Sequence, residues 1–393
     1  MTSPCEHRLL EQLLDCVGVA LGGSRPFDIR VNHPEFFPRV LAGGTLALGE
    51  SYMDGWWDCE ALDQLFERLL RARLDCRVAK SQQLLWARVK GLLTGSQSRF
   101  RAFEVGKRHY DLGNDLFAAM LDRRMNYSCA YWQHAQDLDR AQEDKLELTC
   151  RKLMLEPGMR VLDIGCGWGG LAIYAAEHYG AEVTGITVSR EQADWARKRI
   201  GDLPVRIELK DYRELRATFD RIVSIGRFEH VGTSRYRTFM KMVSRCLKPG
   251  GLFLLHTIGC NRSVEALDPW FQKYIFPNAV LPSARQITAA AEGLFVLEDW
   301  HSFGSYYDPT LMAWQENFAR RWHCLSTRYD RRFYRMWNYY LLSCAGSFRA
   351  RRNQLWQILF SDCGIKGRLP DYRSIRSGAH TEYVETLEDI CSI

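Results

Sequence analysis

Val161-Leu162-Asp163-Ile164-Gly165-Cys166-Gly167-Trp168-Gly169 runs an apolar stretch directly into three alternating glycines. The apolar part reads as a buried strand, and the residues after it read as a helix. Glycines at such a junction permit a tight turn and let a ligand approach the backbone at the helix N-terminus. Outward from this turn, strands are expected at 160–164, 182–187, 206–209, 221–225 and 252–257, with helices at 191–200 and 236–246. Alternation of this kind indicates an α/β domain with a mostly parallel sheet.

A glycine turn after a strand also suits dinucleotide enzymes, which place an acid at the end of the second strand to hold the ribose. Here that strand ends Gly185-Ile186-Thr187-Val188-Ser189, with no acid. The acid is Asp163, just before the first glycine.

The chain has 393 residues, enough for two domains. The first 75 residues read as a small mixed α+β domain, with helices at 7–21 and 62–74 and a strand at 27–31. Trp56 and Trp57 mark a packed, partly exposed surface between them. Residues 76–100 read as a linker in which 82–93 form a basic, aromatic amphipathic helix, suited to a bilayer interface or to packing between domains. Residues 101–365 would be the catalytic domain, including a long helical run rich in Arg and aromatics at 310–360, and 366–393 a polar tail. From Arg71 to Arg108, ten Lys or Arg face only Asp75 and Glu104, so this segment outweighs the net charge of +6. Such a block suggests an anionic partner, nucleic acid or lipid head groups. No apolar stretch is long enough to span a bilayer and no signal peptide is evident, so a cytoplasmic location is expected. The thirteen cysteines are scattered, with no Cys-x-x-Cys or His-Glu-x-x-His, which argues against zinc and against a disulfide framework.

Specific resemblance rests on several separated motifs. Leu-Asp-Ile-Gly-x-Gly-x-Gly is similar to the first motif of class I methyltransferases. With Tyr127-Ser128-Cys129-Ala130-Tyr131-Trp132, Phe228-Glu229-His230-Val231-Gly232 and His256-Thr257-Ile258-Gly259, the chain resembles cyclopropane-fatty-acyl-phospholipid synthases. The likeness extends to residues 109–115, 49–57 and 344–351, and runs from about residue 5 to about residue 363. Arg227 departs from the pattern, which has an apolar residue, often Met, before Phe-Glu-His.

The resemblance implies a Rossmann-like class I fold, strand order 3-2-1-4-5, S-adenosylmethionine as methyl donor and an unsaturated phospholipid of the inner leaflet, preferably anionic, as acceptor. It implies a homodimer, peripheral to the membrane, and no nucleic-acid partner. Tyr127 and Ser128 would reach the carboxylate end of the cofactor. Val161, Asp163, Gly165, Gly167 and Gly169 would form its turn, Thr187 and Gln192 would reach the ribose, and Asp211, Tyr212 and Arg213 the adenine.

An unactivated alkene attacking a sulfonium methyl needs alignment more than a strong base, and the resulting carbocation must be kept from water. A base then removes a proton from the added methyl and the ring closes. In the family this base is bicarbonate, and its holders fall on Cys129, Glu229, His256, the Ile258 backbone and Tyr307. Cys344, near Arg349 and Arg351, is a further candidate, as nucleophile or as a structural residue. Trp270, Phe271, Tyr274 and Phe276 are expected to line an acyl cleft. Rival readings are an enzyme leaving a methyl or methylene branch, a nucleic-acid methyltransferase, and a non-catalytic cofactor-binding protein.

Overall fold

The computed structural model describes residues 4–74, 112–367 and 369. The proposed linker helix at 82–93, most of the basic block and nearly all of the tail lie outside them. The chain divides into two compact units. One comprises 1–113, 266–279 and 311–353, the other 114–265, 280–310 and 354–393. The division is discontinuous, whereas the sequence reading drew contiguous segments, so 266–279 and 311–353 group with the N-terminal residues.

In the second unit a seven-stranded sheet forms from β1 (Arg160–Ile164), β2 (Glu182–Thr187), β3 (Val205–Leu209), β4 (Phe219–Ile225), β5 (Leu247–Cys260), β6 (Val296–Ser302) and β7 (Asn353–Ser361). Their spatial order is β3-β2-β1-β4-β5-β7-β6. The first five run parallel with the expected order, and β6 pairs antiparallel with β7. Helices Gly170–Tyr179, Arg190–Arg199 and Tyr236–Cys246 follow β1, β2 and β4. Val161, Leu162, Ile164, Ile222, Val223, Phe253, Leu254 and Leu255 are buried, as expected of strands covered on both faces.

Ser189 caps the helix after β2 by accepting from the Gln192 N–H at 3.3 Å. Gly165 and Gly169 both adopt φ +85°, a region open to glycine but strained for other residues. Among the described residues no helix is long and apolar enough to cross a membrane.

The expected helical run at 310–360 resolves differently. Helices Tyr307–Arg320, Trp322–Leu325 and Arg331–Arg349 are followed by the strand β7. Leu355, Ile358 and Leu359 are as apolar as the preceding helix, so only burial between β5 and β6 selects strand for them.

In the first unit, helices Pro4–Asp15, Phe36–Met53 and Leu62–Arg71 accompany a two-stranded antiparallel sheet, Arg30–Val31 against Trp57–Asp58. The helix at 36–53 is absent from the sequence-based expectations, and it carries Gly43 and Gly44 in its interior. Gly44 does break it, with φ 60° and ψ −140°. Trp57 is fully buried, while Trp56 is half-buried and stacks on His33. Gly49 makes room for Trp270, whose ring a Cβ there would meet at 2.4 Å. Trp270 and Tyr274 are therefore core side chains of this unit, packed with Tyr339, and do not line an open cleft.

Candidate active site

A cavity of about 250 Å³ opens at the carboxyl ends of β1, β2 and β4, where ligands of open α/β sheets bind. Of the expected cofactor residues, Tyr127, Ser128, Asp163, Gly165, Gly167, Thr187, Gln192 and Tyr212 line it. The Thr187 hydroxyl donates to Gln192 Oε1 at 2.9 Å, fixing that corner before any ligand arrives.

Four expected residues fall outside the lining. Val161 is a buried strand residue beneath the turn. Gly169 gives the following helix its close approach to Ala196, whose Cβ would lie 3.1 Å from an added one. Asp211 accepts from the Arg213 backbone N–H, Nε and Nη2 at 2.9, 2.8 and 2.7 Å. That pairing with Arg213 holds the Asp211 carboxyl below its ordinary range.

The lining also includes Asn126, Lys145, Lys210 and His230, which the sequence reading did not nominate, and Arg227, the departure from the family pattern. Lys145 is the least expected. It is buried on helix Leu138–Lys152, with Nζ 3.2 Å from Asn126 Oδ1 and 3.1 Å from Ser128 Oγ. Burial lowers its pKa to about 8, against the opposing pull of Asp122, Cys129 and Asp163. Burial likewise raises the Asp163 carboxyl to about 7, partly offset by Lys145. A lysine among the apolar positions Ala141, Leu146 and Leu148 is the signal that could have found it.

Beyond the cavity lining lie the candidate reaction residues, on adjacent strands. His256 sits on β5 opposite Ile225 of β4, and the Gly226 N–H donates to the His256 carbonyl at 3.0 Å. Glu229 lies in the short 3₁₀ turn Phe228–His230 that follows β4. Its Oε1 accepts from the Ile258 N–H at 2.6 Å, so this amide is engaged by Glu229. Among the described residues, Glu229 Oε2 and His256 Nε2 are buried without a hydrogen-bond partner.

Burial lifts the Glu229 carboxyl to about 7, against the hydrogen bonds that favour its anion. It also pushes His256 well below its ordinary value, helped by the charges of Lys145 and Lys152. Cys129 is fully buried, donates to the Ala130 carbonyl at 3.3 Å and has its thiol pKa raised by burial. Tyr307 is buried at the start of helix Tyr307–Arg320. Phe303 and His256 pack edge to face at 5.8 Å, and Phe303 meets Tyr131 at 5.4 Å.

Cys344 belongs to the other unit, on helix Arg331–Arg349. Burial pushes its thiol up to about 12, far from thiolate chemistry at neutral pH. Its neighbour Gly346 lets this helix approach helix Leu62–Arg71, since a Cβ there would lie 2.5 Å from the Asp63 carbonyl. Arg349 then pairs with Asp63 at 2.7 Å.

Residues 97–358 match the family described as mycolic acid cyclopropane synthetase. The cyclopropane-fatty-acyl-phospholipid synthase of Escherichia coli K12 is 54% identical over 355 residues, 90% of this chain and 93% of that one. The tuberculostearic acid methyltransferase UfaA1 of Mycobacterium tuberculosis is 33% identical, covering 86% and 85%. Among solved structures, the cyclopropane synthase MmaA2 of M. tuberculosis aligns with TM-score 0.61 and 30% identity, over 68% of this chain and 99% of that one. The protein is a class I methyltransferase that uses S-adenosylmethionine, and it belongs to the mycolic acid cyclopropane synthetase family.

Proposed function

We propose that the protein adds the methyl carbon of S-adenosylmethionine across the cis double bond of unsaturated phospholipid acyl chains, closing a cyclopropane, with bound bicarbonate as the base. One observation carries this reading. Glu229 Oε2, in the turn after β4, and His256 Nε2, on β5, are both buried without a partner among the described residues. An unsatisfied buried polar group costs about 1–3 kcal/mol, so two of them at the ends of neighbouring elements favour a polar ligand. Bicarbonate offers a hydroxyl to a carboxylate and oxygens to an N–H, which matches this pair. Facing it with a second anion would be unfavourable, and the raised Glu229 pKa eases that conflict.

S-adenosylmethionine supplies an electrophilic methyl on a sulfonium leaving group. Bicarbonate supplies the base that takes a proton from the added carbon as the ring closes. The chain itself positions and shields. The glycine turn and the Thr187–Gln192 pair seat the cofactor, and Asp163 offers a carboxylate to its ammonium group. Glu229 and His256 orient the base, with Cys129 and Tyr307 completing its enclosure. The Ile258 amide acts on this site by holding Glu229. Phe303 and Tyr131 give a dry aromatic wall beside His256, suited to a short-lived carbocation. Cys344 takes a structural role in this scheme.

The same reading assigns membrane contact to the N-terminal residues and the 71–108 basic block. It places a homodimer at the inner face of the membrane, with a preference for anionic lipid. The test is incubation of the protein with labelled S-adenosylmethionine and phospholipid vesicles. Unsaturated vesicles should take up label, and the product should be one CH₂ heavier with no double bond. Equal labelling of saturated vesicles, or a methyl-branched product, overturns the assignment. In carefully degassed, bicarbonate-depleted buffer the rate should fall, and an unchanged rate removes bicarbonate from the scheme.

A further inference from the structure

The donors and acceptors behind His256 form a chain through Gln357 Nε2, with Gln357 Oε1 left as a buried acceptor that has no hydrogen-bond partner among the described residues. Gln357, on β7, is fully buried, and its Nε2 lies 3.2 Å from Thr149 Oγ1 and 3.2 Å from His256 Nδ1. Thr149 is also fully buried, and its hydroxyl donates to the Lys145 carbonyl at 2.8 Å. A hydroxyl has one proton, so toward Gln357 the Thr149 oxygen can only accept. Gln357 must therefore turn its NH₂ to Thr149, and the second N–H of that group points at His256 Nδ1. Nδ1 can then only accept, which leaves the ring proton on Nε2.

We propose that Gln357 is a positioning residue that fixes His256 as the neutral Nε2–H tautomer, so that the imidazole presents a donor to the reaction pocket. The Thr149 hydroxyl and the Lys145 carbonyl set the direction of the whole relay. The charged groups whose fields reach the ring are Lys145 and Lys152, both cations, and with burial they keep it neutral. Nε2 is the ring atom without a partner among the described residues, which is where a donor to an external oxygen is needed. The role assigned to that donor rests on the bicarbonate reading above, but the tautomer itself does not.

The test separates the two. Full-length protein labelled with ¹⁵N-histidine is studied by long-range ¹H–¹⁵N correlation, with His256 assigned by the signals lost in His256→Asn. Wild type should show a protonated Nε2 and an acceptor-type Nδ1. In Gln357→Glu the carboxylate can only accept, so the proton should move to Nδ1 or both nitrogens should carry one. Label transfer to unsaturated vesicles should then lose about 10- to 100-fold in kcat, as loss of an orienting partner typically does, with KM for S-adenosylmethionine within about twofold. A wild-type ring protonated on Nδ1 overturns the proposal, as does a Gln357→Glu variant with wild-type kcat. Should the variant not fold, the wild-type tautomer alone decides. If the wild type is inactive yet carries the Nε2 proton, the tautomer lock stands and the reaction assigned above falls.

Discussion

The Ile258 N–H donates to Glu229 Oε1 at 2.6 Å, and this bond ties the end of β5 to the turn that follows β4. The Glu229 carbonyl in turn accepts from the Val280 N–H at 2.9 Å. Both backbone and side chain are thereby held, and Oε2 has no partner among the described residues. Replacing Glu229 by Gln keeps the shape and the acceptor for Ile258 but puts an NH₂ or a neutral oxygen where the carboxylate was. We expect S-adenosylmethionine affinity within about twofold of wild type and a kcat loss of about 100-fold or more, the size typical of a catalytic proton-handling group. Isothermal calorimetry and label transfer measure the two. Lost cofactor affinity would move Glu229 into the cofactor site.

The same substitution has a consequence for stability. The Glu229 carboxyl ionises near its ordinary 4.5 when unfolded but near 7 when folded, mainly because it is buried. Between these values the folded state holds the extra proton, so stability falls as pH rises through the window. The full penalty above pH 7 is up to about 3 kcal/mol. Glu229→Gln should therefore melt higher than wild type at pH 8, with the difference closing toward pH 5. Asp163 contributes a similar slope to both proteins, so the comparison isolates Glu229. A variant that melts lower at pH 8 contradicts the burial argument.

Much of this was legible in the sequence because strand, turn and helix repeat with sharp punctuation. β1 and β2 fall on the expected residues, and β1 to β5 take the order that the family resemblance implied. What escaped depends on packing. The Gln357 strand carries no alternation, because it is buried along nearly its whole length between two others. Lys145 was hidden because its role comes from Asn126 and Ser128, residues brought to it only by folding. Asp211 and Arg213 show the converse. They stand at the expected place after β3, yet satisfy each other instead of facing the cavity.

Arg227, the departure from the family pattern, can be tested through the ligand's charge. It lines the cavity, and its stem lies over the turn, with Cβ and Cγ 3.0 and 3.3 Å from a Cβ added at Gly165. The sulfonium of S-adenosylmethionine is a cation, whereas S-adenosylhomocysteine lacks that charge. Arg227→Met preserves the stem and removes the guanidinium. It should favour S-adenosylmethionine over S-adenosylhomocysteine by a few-fold, the scale of about 1 kcal/mol for a partly exposed charge pair. Calorimetry that shows the same change for both ligands would exclude an electrostatic role.

Gly259 tests how tightly β5 is registered against β7. A Cβ at this position would lie 2.0 Å from the Trp356 ring, which is buried and touches Trp300 at 5.3 Å. The ring is buried, so an added Cβ displaces either the ring or the strand that carries Ile258. Gly259→Ala should lower stability by about 1–3 kcal/mol, the usual cost of overpacking. It should also cut kcat more than cofactor affinity, because the Ile258–Glu229 bond is displaced. Unchanged melting and turnover would show that the Trp356 ring relocates freely.

The last prediction concerns how the enzyme reaches a lipid. The segment from Arg71 to Arg108 carries ten basic residues and two acidic ones. Each Lys or Arg close to an anionic bilayer contributes about 1 kcal/mol, and salt screens the attraction. Vesicle binding should therefore rise with anionic lipid and weaken steeply with ionic strength. Changing Arg88, Lys90, Arg99 and Arg101 to Ser removes four of these charges. Binding at low salt should fall by two orders of magnitude or more on the order of 1 kcal/mol per charge, while calorimetric affinity for S-adenosylmethionine stays the same. Activity on vesicles should follow the binding, and activity on detergent-dispersed lipid should be less affected. If the quadruple variant binds anionic vesicles as well as wild type, the block is not the membrane contact. The next surface to change would be the stack of Trp56 on His33, where Arg39 lies 4.3 Å from the indole and an aromatic and a cation are already paired.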